Sequence, residues 1–155
     1  MEISSNIRKK VFENSLKQGS VFRLKGDTPF KSEDYHIFVV LNYSPQSDEA
    51  LLLVNGTSKV GKKKAILSKI YPSEVEQTTV ILEANSYSFI TKQTIIDCND
   101  VKMVDLNVIN FSSNDIKPIT SSELSREDIS KIVSATLNSP TVSENIKQKI
   151  KPLYN

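Results

Sequence analysis

Cysteine and histidine occur once each in the 155 residues, as Cys98 and His36. A single thiol excludes an intramolecular disulfide and a cysteine-rich metal site, and it suits a reducing cytoplasm. A lone imidazole, among Asp and Glu residues without ligand spacing, gives no reason to expect a metal centre or a resident cofactor. Long apolar runs are also missing. Residues 37–41 fall far short of the roughly 20 needed to span a bilayer, and the polar N-terminus lacks the apolar core of a signal peptide. The expected location is therefore cytoplasmic, with no membrane partner. No Gly-rich loop ends in Gly-Lys-Ser, since the order Ser58-Lys59 is reversed, and there is no internal repeat or low-complexity tract.

The chain does have enough length for one domain with an unstapled core, at 25% charged and 38% hydrophobic residues. Its centre is the stretch 35–58, two apolar runs of strand length separated by a polar turn with Pro45, Ser47 and Asp48. Asn42 closes the first run and Asn55-Gly56-Thr57-Ser58 the second, so polar groups are delivered to strand ends, where a site would sit. Around this pair the reading is mainly β with helical additions. A helix over about 1–18 is capped by Ser4 or Ser5 and turns Ile7, Val11 and Leu16 inward. A half-buried strand follows over 20–25, with Phe22 and Leu24 on one side and Arg23 and Lys25 on the other. The segments 26–29 and 31–34 read as turn and loop, and the lysine-rich stretch 59–64 as an exposed loop. Further strands are expected over 78–83, 88–91 and 94–97, and a last one over 101–109 that breaks near Asp105, so the β-rich part spans 19–111. From residue 121 to 155 the pattern is a helical hairpin. Ser125 with Asp128 starts the first helix, Ser139-Pro140 or Thr141 with Glu144 the second, and Pro152 ends it.

Several side chains can carry chemistry. The unperturbed pKa of an imidazole lies near neutrality, so His36 can act as a general acid or base, or simply end a strand on a carbonyl. Asn55-Gly56-Thr57-Ser58-Lys59 offers hydroxyls, backbone N–H groups and an ammonium to an anion, or forms a solvated loop. Lys59, Lys62, Lys63 and Lys64 can meet a phosphate backbone, with Tyr35, Tyr71 and Tyr87 as stacking partners if they share a face with the lysines. Arg23 and Lys25 can hold a phosphate from the open face of their strand. Cys98 reads as a small core residue. The formal charge of +2 is too small to point to a partner by itself.

Four segments, Gly19-Ser20-Val21-Phe22, His36-Ile37-Phe38-Val39-Val40-Leu41, Leu52-Leu53-Val54-Asn55-Gly56-Thr57-Ser58 and Phe89-Ile90-Thr91-Lys92-Gln93-Thr94-Ile95-Ile96-Asp97, together resemble the PemK/MazF-like toxin family over roughly 19–109. The resemblance implies an SH3-like small β-barrel, often a homodimer. It also implies a metal-independent endoribonuclease that cuts single-stranded RNA and is restrained by a cognate antitoxin protein. Thr57, with Ser58 beside it, aligns with the family's active-site threonine. The family's Arg-Pro pair is absent, and Tyr35-His36 stands in its place. On this reading His36 and Thr57 are catalytic, while Arg23, Lys25, Ser58 and Lys59 contact the substrate phosphate. Two other readings stay open, a non-catalytic barrel module that binds a protein or nucleic acid and a barrel toxin that inhibits a protein target.

Overall fold

A computed structural model describes residues 4–26, 31–111 and 115–151. It is a mixed α/β fold in which α-helices occupy as many residues as strands. The chain runs α1 Ser5–Ser15, β1 Ser20–Gly26, β2 Ser32–Val40, β3 Leu51–Thr57, α2 Val60–Ile70, β4 Thr79–Leu82, β5 Thr94–Asp97, β6 Lys102–Val104, a 3-10 turn Leu106–Val108, β7 Ile116–Glu123, α3 Arg126–Asn138 and α4 Glu144–Ile150. The seven strands form one antiparallel sheet in the order β4-β5-β3-β2-β1-β7, and β6 also pairs with β3. The expected mainly-β fold is corrected to this mixed one. The sheet is an open path from β4 to β7 rather than a clearly closed barrel.

The expected antiparallel pair of central strands is present, with Ile37 opposite Gly56 and Val40 opposite Leu53. Successive side chains of a strand point to opposite faces, so continuous apolar runs call for cover on both sides. Val39, Leu41, Leu52 and Val54 join Ile132, Ala135 and Ile150 from the C-terminal helices in one core cluster. Phe38, Val40, Leu51 and Leu53 join Phe12, Leu16, Phe22 and Leu24 in the other. The C-terminal hairpin thus covers one face and α1 the other. Ser4 caps α1 as expected, but Ile7 and Val11 are 56% and 61% exposed while Phe12 and Leu16 are buried. Phe12 sets that rotation by packing edge-on against the Phe22 ring at 5.2 Å and against Phe111.

Other local expectations hold or fail for identifiable reasons. Ser125 and Ser143 accept from Asp128 and Ile146 N–H groups and start α3 and α4, so the second helix begins later than Ser139-Pro140. Ser32 to Asp34 belong to β2 and are not a loop. Residues 88–91 are a turn followed by irregular backbone, not a strand. The last expected strand breaks at Asp105, as anticipated, but the sheet does not end near Phe111, because β7 follows as an edge strand containing Pro118. Lys59 to Lys64 do not form an irregular loop. Lys59 stands at the N-cap position of α2 without a side-chain capping bond, and the helix, whose Lys-Lys-Lys-Ala-Ile-Leu core consists mainly of good helix formers, buries Leu67. The turn 27–29 and the stop at Pro152 lie outside the described residues. Among the described residues no helix is long and apolar enough to cross a membrane.

Candidate nucleic-acid interface

A cleft of about 530 Å³ opens where β1, β2 and β3 meet the 87–94 segment. Arg23, Tyr35, Ile37 and Gly56 contribute from the strands, with Lys117 from β7 and Lys92 from the segment opposite. Gly56 is needed for close packing, since a Cβ there would come within 2.8 Å of both Ile96 Cδ1 and Thr94 Cγ2. The opposite wall is tied down. Arg23 Nη2 donates to the Phe89 carbonyl at 3.0 Å. Tyr87 stacks on Phe89, its hydroxyl donates to Asp128 Oδ2 at 2.5 Å, and it accepts the Ser125 N–H at 2.8 Å, so the segment is fastened to the start of α3. Tyr87 is therefore occupied in the wall, and Tyr71 points its hydroxyl at Thr141.

Charge is the distinctive property of the cleft. Register places Arg23 directly opposite Lys117, and Lys25 Nζ and Lys117 Nζ lie 4.8 and 4.5 Å from the Tyr35 ring centroid. Like charges on facing strand positions are destabilising. Cation–π attraction to one ring offsets this in part, and an anion between the cations would offset it further. Asp34 is the one acidic residue lining the cleft among the described residues.

Five of the six residues singled out from sequence line this cleft, namely Arg23, His36, Thr57, Ser58 and Lys59; the sixth, Lys25, stands beside it over Tyr35. They divide between the two faces of the sheet. Arg23 shares the face of Val21, whereas His36 lies opposite Leu24 on the other face. β2 and β3 stay in register as far as Ile37–Gly56, and alternation one position on puts His36 and Thr57 on that second face. His36 Nε2 is 2.9 Å from Ser32 Oγ, and Thr57 Oγ1 accepts the Lys59 N–H at 3.2 Å. Arg23 thus faces Lys117 on one side of the sheet while His36 and Thr57 lie on the other, and the two groups meet only along the margin where the cleft reaches both.

Asn42 is removed from the candidate site. In an antiparallel pair the end of β2 lies at the start of β3, so Asn42 contacts Leu52, far along the strand from Thr57. Sequence reading missed Lys117, Lys92 and Phe89. The only local sign of Lys117 was the stretch Ile116-Lys117-Pro118-Ile119-Thr120, which has strand composition apart from a proline that suits an edge. Among the described residues no group of three or more His, Cys, Asp and Glu side chains is placed to hold a metal ion. No protein-family model and no curated protein matches this chain.

Proposed function

We propose that the protein binds single-stranded RNA in this cleft and cleaves it as a metal-independent endoribonuclease, acting as a toxin of the PemK/MazF-like type with an SH3-like sheet. The observation that carries the reading is the facing pair Arg23 and Lys117 beside Tyr35, in a cleft that also reaches His36, Thr57, Ser58 and Lys59. The guanidinium and ammonium groups suit a phosphodiester, and the aromatic ring suits a base. His36 takes the proton from the ribose 2′-hydroxyl, whose oxygen attacks the adjacent phosphorus. Arg23, Lys25 and Lys59 offset the charge that builds on the phosphoryl oxygens, and the Thr57 and Ser58 hydroxyls orient them. The P–O5′ bond breaks, the 5′-oxygen takes up the proton that His36 removed, and the other fragment ends in a 2′,3′-cyclic phosphate. A cognate antitoxin and a second copy of the chain are the partners that go with this function.

A specific observation favours a second reading, a non-catalytic RNA-binding module. His36 and Thr57 occupy the face opposite Arg23, and an Arg23 N–H is engaged by Phe89. Incubating the purified protein with single-stranded RNA in chelator, beside His36→Ala and Thr57→Ala, separates the two. Cleavage with cyclic-phosphate ends that falls at least about 100-fold in each variant supports the nuclease. Binding without cleavage in all three proteins supports the module, and neither binding nor cleavage refutes both.

A further inference from the structure

Helix α2 carries Lys62, Lys63, Lys64 and Lys69 and not one carboxylate, and Lys59 stands at its start. Three of these lysines cluster in the first turns, where the helix dipole disfavours cations. Only Lys63 has a counter-charge, Asp97 Oδ2 at 3.4 Å; Lys59, Lys62 and Lys69 make no ion pair among the described residues. Those three recur with Ile66 at spacings of three, seven and ten residues, which is one face of a helix, distinct from the face that buries Leu67. Ile66, which is 45% exposed, lies between Lys62 and Lys69. Lys59 also lines the cleft, so the cationic face begins where the cleft ends.

We propose that the outer face of α2 is a second RNA-binding surface that continues the cleft, with Lys59, Lys62 and Lys69 meeting successive phosphates and Ile66 contacting a base or ribose. This rests on the single-stranded RNA reading of the cleft. An anion along this face removes the mutual repulsion of the lysines and, at Lys59 and Lys62 near the start of the helix, their conflict with the dipole; Lys69 in the last turn has no such conflict. From residue 59 to 69 the helix advances roughly 15 Å, so the surface serves long strands and not short ones.

The test compares 2′-O-methyl oligouridylates of about 4 and about 12 nucleotides, which cannot be cut by 2′-hydroxyl attack. The proteins are wild type, the double variant Lys62→Ala/Lys69→Ala and, as a charge-matched control, Lys147→Ala/Lys149→Ala on α4. Thermal melts confirm that all three are folded. The α2 variant is expected to bind the long strand about fivefold more weakly at low salt, with the slope of log K against log salt reduced by about 1.4, and to bind the short strand unchanged. The control should alter neither. A long-strand affinity and slope equal to wild type, or an equal loss for both lengths, overturns the α2 surface while leaving RNA binding in the cleft intact. Wild-type protein that binds neither strand overturns the RNA reading itself, and the α2 surface with it.

Discussion

At the scale of single residues, two buried groups do work that their sequence context does not announce. Asn42 is fully buried; its amide donates to Asp48 Oδ2 at 2.9 Å and the Ala50 carbonyl at 3.0 Å, and its oxygen accepts the Leu52 N–H at 2.7 Å. The residue looked like a strand-end polar group available to a ligand, yet it staples the β2–β3 connection. Asn42→Ala leaves the buried Leu52 N–H without its partner and should cost about 2–3 kcal/mol, read as a lower urea midpoint at unchanged m-value. Cys98 is fully buried, and burial pushes its thiol pKa up to about 12; a Thr136 hydrogen bond opposes this weakly and the Asp97 charge adds to it. The folded thiol therefore holds its proton after the unfolded one has lost it. Its contribution is complete below pH 9, the ordinary thiol value, and is lost as pH rises from there towards 12. Stability should fall by about 1.4 kcal/mol per pH unit from this group. Cys98→Ala should flatten that part of the pH–stability curve between pH 9 and 11, which chemical denaturation at several pH values measures.

At the scale of elements, the central strands and the terminal helices were legible in the sequence, while β7 and α2 were not. Continuous apolar runs such as Ile37 to Leu41 identify buried strands whatever covers them. The rotation of α1 was not legible, because Ile7, Val11, Phe12 and Leu16 are all apolar and only the Phe12 contact with Phe22 selects the inward face. In α2 two glycines hid a helix. Asn55-Gly56 and Gly61 within the lysine cluster suggest a loop, although lysine is a good helix former and one buried Leu67 anchors the element. In sequence the C-terminal hairpin reads as an extension packing on the β-rich part. It supplies Ile132, Ala135 and Ile150 to the cluster around Val39, Leu52 and Val54. Burial of the Ile132 and Ile150 side chains alone is worth roughly 1.5–3 kcal/mol each. Removing residues 125–155 should therefore abolish the cooperative thermal transition and near-UV circular dichroism and increase dye binding to exposed apolar surface.

Across the whole molecule, the sheet is both a partition and a scaffold. Alternation along β1, β2 and β3 sends one set of side chains to the α3–α4 layer and the other to α1. At the sheet margin, where neither layer reaches, the same alternation sets Arg23 and Lys117 on one side and His36 with Thr57 on the other. Sequence by itself determined the central antiparallel pair, a cap at Ser4 or Ser5 and one at Ser125, because periodicity and capping are local and act within a few residues; residue chemistry and the family resemblance singled out five of the residues lining the cleft. Tertiary structure alone decided that the sheet is open, that Asn42 and Thr57 lie at opposite ends of the central pair, and that Lys117 faces Arg23. Those outcomes depend on strand order and register between segments almost a hundred residues apart, and register sums contacts that no local window of sequence contains.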